Sequence, residues 1–322
     1  VQSRRTLELP TLAMMVATYL AWAIGTTVAW QAAPVFGLIL TVLAIAQFSS
    51  LQHEVLHGHP FANQQMNEAL VFPGLTLFVP YQRFRDLHLA HHHDPNLTDP
   101  YDDPESNFMD PSHWARTPVW LRKTYQFNNT LIGRILIGPA LSIWALLRHD
   151  FSAIRRGDAA VRGAWVLQGY GVVLVIFWLV AVGTMPWWAY ITAAYLAFGL
   201  LKIRTFLEHR AHEACRGRSV IIEDRGPLSI LFLNNNLHAV HHMHPTLAWY
   251  DLPAKYAANR DHYLRRNEGY HFRNYAEIFR LYFLQAKDPV AHPIWSPEDR
   301  MSQASLRKTG VEPELSKNGT PG

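Results

Sequence analysis

From Thr11 to Leu51 the chain carries no Asp, Glu, Lys, Arg or His. A stretch of that length leaves no polar face for a water-soluble domain. It reads as two membrane spans, residues 11–30 and 32–51, because a bilayer core takes about 20 mostly apolar residues per helix. The first run is too long for the apolar region of a signal peptide. Two more apolar runs follow at 164–183 and 185–207. The last is interrupted near its end by Lys202 and Arg204, side chains long enough to reach the interface. The expected fold class is therefore an all-α integral membrane protein, with four transmembrane helices in two hairpins plus a helical cytosolic cap.

Charge sets the orientation. The turns at 31–34 and 184–186 are uncharged, whereas Arg4, Arg5, Arg155, Arg156, Arg162, Lys202, Arg204 and Arg210 gather at the opposite ends. Cytosolic excess of Lys and Arg then puts both termini and the long middle segment, 70–163, in the cytosol. Trp187 and Trp188 mark the depth of the outer interface. The segment 69–79 is apolar but too short to span, which fits lying in or re-entering the interface. The segment 118–147 is apolar with Arg122, Lys123 and Arg134 spaced along it. It fits helices lying on the membrane, or equally a buried helix pair of the cap. A membrane domain over 1–295 and a disordered polar tail over 296–322 complete the expected organisation.

Composition removes several function classes. The net charge of +4 and the 17% of charged residues suit a basic face near anionic lipid. No basic run interleaved with aromatics supports nucleic-acid binding. The single cysteine, Cys215, forms no intrachain disulfide and builds neither an iron–sulfur cluster nor a zinc ribbon. Metal chemistry must come from other donors, and the 18 histidines supply them.

Three short segments hold most of those histidines. The first reads His53-Glu54-Val55-Leu56-His57-Gly58-His59. The second reads His88-Leu89-Ala90-His91-His92-His93, and the third His238-Ala239-Val240-His241-His242-Met243-His244. The last two each contain H-x-x-H-H. On a helix, positions i, i+3 and i+4 share a face, so the three imidazoles of such a box can converge on one point. His53 and His57 stand in the same i, i+4 relation. Given 18 His in 322 residues, chance produces one such box roughly 0.06 times per chain, so two are not accidental. Eight imidazoles exceed what one ion can use, but two ions can take them. Imidazole suits iron, zinc and copper and disfavours Mg and Ca. The fourth span ends at Glu208-His209-Arg210-Ala211-His212, which offers His209 as a ninth ligand, with His212 second.

In order and spacing, these boxes resemble the membrane fatty acid desaturase/hydroxylase superfamily over roughly residues 10–290. The flanking segments HEVLHGHP, LHLAHHHDPNLTDPYDDPES and NNNLHAVHHMHPTLAWYDLP are most similar to bacterial dihydrorhizobitoxine desaturase-like proteins. The resemblance implies two Fe2+ ions on His53, His57, His88, His91, His92, His238, His241 and His242, with His209 added. It further implies O2 as co-substrate and desaturation or hydroxylation of an unactivated C–H site, in an acyl lipid or a small amphipathic molecule. The setting it implies is a bacterial inner membrane. Acyl-CoA desaturases have an Asn four residues before the extra His, contacting metal through water; here that position is Thr205. No H-P-G-G haem motif occurs and one cysteine excludes a fused ferredoxin, so a separate ferredoxin or cytochrome b5-like carrier is the expected electron donor.

Carboxylates that fix imidazoles are expected among Asp94, Asp99, Asp102 and Glu208, with Asp86 a further candidate and the rest of 94–105 read as loop. Asn235 and Asn236 are read as donors to the site or as helix caps. His59, His93 and His244 are expected to be hydrogen-bonding neighbours. His113, His149, His262, His271 and His292 are read as surface residues, and Trp249 and Tyr250 as packing or substrate-passage aromatics. One rival reading is a membrane zinc metalloprotease using H-E-x-x-H with Glu54 as base, which leaves the other two boxes without a role. A transporter would place polar residues mid-membrane, where these spans have almost none.

Overall fold

A computed structural model describes residues 7–94 and 96–296. Arg4, Arg5 and the expected tail from residue 297 onward lie outside the described residues. Three helices among the described residues are long and apolar enough to cross a membrane: Leu9–Ala32, Pro34–Leu56 and Ala159–Ala181. The first is regular over Leu9–Ile24 and widens into a π-turn at Gly25–Ala29. There Thr26 and Thr27 bond back to the carbonyls of Trp22 and Ala23, loosening the backbone ladder. The second runs past residue 51, so its last turn already carries His53 and Glu54.

The fourth expected span is a 19-residue helix, Trp187–Thr205, that falls short of the others in apolarity. Its surroundings explain why. It packs most extensively against Pro34–Leu56, and Ala189, Ala193, Ala194 and Ala197 are buried along its face. A helix covered by protein needs less lipid-like side chains than one facing lipid. Gly199 allows the closest approach: a Cβ there would sit 2.6 Å from the Ile135 carbonyl oxygen.

The segment 71–80 is irregular and wedged among these helices. Tyr19 donates to Leu70 O (2.6 Å), Tyr190 to Leu75 O (3.0 Å) and Gln168 to Leu77 O (3.0 Å). All three donors belong to long apolar helices, and Leu75 is fully buried. Irregular backbone is tolerated at such a place only where protein groups satisfy it. Gly171 makes room, since a Cβ there would lie 2.6 Å from Phe72 O.

From this wedge the chain enters the helix Tyr81–His93, which carries the second box. Arg83 anchors it with two bonds of 2.9 Å to Asp150 on the helix Gly138–Arg155, and Asp150 also accepts Trp165 Nε1 at 2.9 Å. The helices Val119–Asn128 and Gly138–Arg155 expose Trp120 (70%), Trp144 (67%) and Phe151 (62%). Exposed aromatics on that scale fit helices lying on a membrane rather than a buried pair. The third box sits on the short helix His238–Met243. Ile222 N–H donates to Asn236 O at 2.8 Å and Ala239 N–H to Val220 O at 2.9 Å. These bonds pin it to a two-residue parallel strand pair, Ile221–Ile222 with His271–Phe272.

Candidate metal centre

Each box begins from a local stop or start. Gly58, at φ +96°, ends the first helix in a conformation that favours glycine, leaving His57 as its C-terminal cap. Pro80 precedes the second-box helix, where its fixed φ and missing N–H are harmless. His209 lies just beyond Trp187–Thr205 and bridges in antiparallel fashion to Ser219.

These elements bring nine histidines into two groups. One is His53, His57, His88, His92 and His241; the other is His91, His209, His238 and His242. Within each group the ligating atoms lie within 4.8 Å of one another. The groups adjoin, because His92 stacks on His242 with ring centroids 4.2 Å apart. All eight box histidines and His209 are thus placed together. His212 is not, and it contacts the backbone of Ala214 instead.

One expectation is corrected. The three histidines of a box do not converge on one point. His88 and His92 enter the first group and His91 the second, whereas His238 and His242 enter the second and His241 the first. Helix geometry gives the reason: adjacent residues i+3 and i+4 diverge by about 100°. Each H-x-x-H-H box therefore straddles two centres, with its i, i+4 pair on one side and its i+3 residue on the other.

The donor set fits metal ions. His53 Nε2 and His57 Nε2 are buried with no hydrogen-bond partner among the described residues. In the second group His91 Nδ1 donates to Asp103 at 2.7 Å, and His238 Nδ1 to Asn235 Oδ1 at 3.3 Å. In their neutral forms both rings then present Nε2 as a lone pair. Both lone pairs face His209 Nε2, at 2.9 and 3.1 Å. A single proton on His209 can satisfy only one of them, whereas a cation among the three satisfies all.

Electrostatics prepares most of these rings. Burial and the neighbouring imidazoles push His57 down to about 2 and His92 down to about 3. The same causes hold His209, His238, His241 and His242 well below the ordinary imidazole value. These rings are neutral at pH 7, the form that ligates metal. His91 differs. Burial opposes its charge, but Glu105 and the hydrogen bond to Asp103 outweigh burial and raise it to about 9. Glu105 resists burial in the same way. The charges of His88 and His91 hold its carboxyl below the usual range.

Two of the carboxylates that hold the rings lie in the stretch read from sequence as loop. Asp103 holds His91, and Glu105 accepts His88 Nδ1 at 2.9 Å. Asp94 caps the Asn96 N–H, and Asp99 accepts the N–H groups of Tyr101 and Asp102 together with Trp295 Nε1. Asp86 pairs with Arg85. Glu208 is placed as expected, 3.8 Å from His238 Nδ1, accepting Asn235 Nδ2 and paired with Arg204. Asn235 serves the site, whereas Asn236 donates to Ile222 O and Asp224 O. No sequence period singles out Asp103 and Glu105, which lie in the turn-rich loop that follows the second-box helix.

The remaining histidines lie outside both groups. His59 pairs with Glu8, His93 with Leu89 O, and His244 with Tyr263 Oη. His292 is not a surface residue: it is buried against Thr98 and Phe108. Glu54 accepts the backbone N–H of Trp249 at 3.3 Å.

No curated protein matches the chain. The fatty acid desaturase family matches residues 28–274, a stretch that takes in all three boxes and His209. With that match over most of its length, the chain belongs to the fatty acid desaturase family.

Proposed function

We propose that this protein is an O2-dependent, di-iron membrane oxidoreductase that desaturates or hydroxylates an unactivated C–H site in an acyl lipid or a small amphipathic molecule. The observation that carries this reading is the division of nine buried and half-buried histidines into two adjoining groups with imidazole lone pairs aimed inward. His53, His57, His88, His92 and His241 hold one iron, and His91, His209, His238 and His242 the other. Bound iron supplies the one-electron and O2 chemistry. The chain supplies the donors, keeps most of them neutral, excludes water and positions the substrate carbon. Desaturation converts substrate, O2, two electrons and two protons into an alkene and two waters; hydroxylation yields an alcohol and one water.

In this reading Trp187–Thr205 joins the three apolar helices to make four spans in two hairpins, with the metal centre at the cytosolic mouth of a bacterial inner membrane. The electrons come from a separate ferredoxin or cytochrome b5-like carrier, drawn to the basic cytosolic face. Kinship with dihydrorhizobitoxine desaturase-like proteins belongs to the same reading and rests on the segments around the boxes. The zinc protease alternative accounts for His53 and His57 only. It gives no role to the second group, and Glu54 is already engaged by Trp249.

Mass spectrometry of lipids and metabolites from cells with and without the gene tests the reaction. We expect a compound that loses two hydrogens or gains one oxygen when the gene is present. An unchanged profile from cells whose purified protein carries both metals contradicts the reading.

A further inference from the structure

The stretch 287–295 lies beyond the residues that match the family, 28–274, yet it reaches the four-histidine group. Its backbone clasps two other segments. Met109 N–H donates to Val290 O at 2.8 Å and His292 N–H to Met109 O at 2.9 Å. Asn129 Nδ2 donates to Asp288 O at 2.6 Å, and Trp295 Nε1 to Asp99 at 2.9 Å. Lys287 Nζ donates to the backbone carbonyl of His209 at 2.8 Å, so the stretch touches one member of the group directly.

A second route inward starts at His292, which is buried. Its Nδ1 accepts the Ile294 N–H at 3.3 Å. The neutral ring then carries its proton on Nε2, which donates to Thr98 Oγ1 at 3.2 Å. Thr98 is 1% exposed and sits at φ +76°, a conformation that a β-branched residue adopts only where its surroundings impose it. Glycine would fit that turn without strain, so the hydroxyl is what a threonine adds there. Every polar group of Thr98 is engaged. Its N–H donates to Asp103 Oδ2 at 2.7 Å, its carbonyl accepts Ser106 Oγ at 2.8 Å, and its hydroxyl meets His292. Asp103 Oδ1 accepts His91 Nδ1 at 2.7 Å, and His91 Nε2 lies 2.9 Å from His209 Nε2. Hydrogen bonds therefore run without a break from His292 to the four-histidine group. Among the described residues, no hydrogen bond joins 287–295 to the five-histidine group.

We propose that Thr98 and His292 are positioning residues of the metal centre. His292 fixes Thr98, Thr98 fixes the Asp103 carboxylate, and Asp103 fixes the His91 ring, so that docking of 287–295 completes the four-histidine site. This rests on the proposed oxidoreductase reading for the presence of metal there. A ligating imidazole loses affinity when the group behind it is free to turn.

The test uses full-length protein in lipid nanodiscs, loaded with Fe2+ under anaerobic conditions, and measures the affinity of each ion by competition with a chelator. His91→Ala identifies the ion of the four-histidine group. Thr98→Val and His292→Phe should each weaken that ion about 10-fold, and the other by less than about threefold. The double variant should be no weaker than the worse single one, because both substitutions break the same bond. Thr98→Ser, which keeps the hydroxyl, should retain wild-type affinity. A merely structural role would lower Tm and leave both ions unaffected, or weaken both equally. Either result overturns the proposal, as does additive loss in the double variant or a Thr98→Ser protein that behaves like Thr98→Val. His292→Phe that holds both ions at wild-type affinity overturns it even where Thr98→Val does not fold. In each of these cases the wild type still binds two ions and the oxidoreductase reading stands; a wild type that binds no iron overturns that reading and this inference with it.

Discussion

The two histidine groups are built differently. In the four-histidine group three rings are held from behind: His91 by Asp103, His238 by Asn235 and His209 by Ser219 Oγ at 3.2 Å. In the five-histidine group, among the described residues, only His88 has such a partner, Glu105, while the Nε2 atoms of His53 and His57 are left without a hydrogen bond. One group has few donors in fixed tautomers, and the other has more donors with less support. Partners behind a ligating imidazole orient it and raise its basicity. The four-histidine group therefore depends on every member, and the five-histidine group carries a spare donor.

The largest expected effect comes from removing a donor on each side. His91→Ala leaves three imidazoles in its group, and metal analysis should find about one ion per chain instead of two. His241→Ala leaves four imidazoles in the other group and should keep closer to two ions, with activity lost in both variants. If both variants keep full metal and activity, neither histidine is a ligand. Next in size is Asp103→Asn. The amide can no longer accept as a carboxylate does, and metal affinity at the four-histidine group should fall about 10–100-fold, measured by competition with a chelator. Glu105→Gln should cost the other group less, since His88 is one of five donors.

Proton competition separates the groups further. His91 is raised to about 9 without metal, so below that pH a metal ion must displace its proton, and affinity at the four-histidine group should rise as pH increases toward 9. His57 and His92, at about 2 and about 3, are already neutral, and they give the five-histidine group no matching rise between pH 6 and 9. Isothermal titration in two buffers of different ionisation enthalpy counts the protons released; equal release at both groups would erase the distinction. The smallest effect is expected for Ser219→Ala. It removes a single long hydrogen bond to His209, and affinity at that group should fall only a few-fold by the same chelator assay.

How much of this was readable in advance follows from what helix spacing encodes. Histidines at i, i+3 and i+4 point off a helix in known directions, so the eight box residues were legible, and His209 followed from its place at the end of an apolar run. Spacing cannot say that two centres straddle each box, because that depends on where three separate helices meet. Nor does it reveal Asp103 and Glu105. They sit in a turn-rich loop, where the facing of a side chain is set by turns such as those at Asp99 and Thr98 rather than by any period. His292 was misread for a related reason: it follows the short last helix, Tyr275–Tyr282, and only tertiary packing buries it. The fourth apolar helix was legible as a helix, but its alanines and terminal charges record burial by neighbours rather than contact with lipid. The segment 69–79 was recognisable as too short to span, while the donors that hold it, Tyr19, Gln168 and Tyr190, come from distant parts of the chain.

The proposed function requires nine histidines to hold two iron ions. Metal analysis of anaerobically purified full-length protein tests it most directly. We expect two irons per chain; one zinc per chain and no iron would contradict the proposed function.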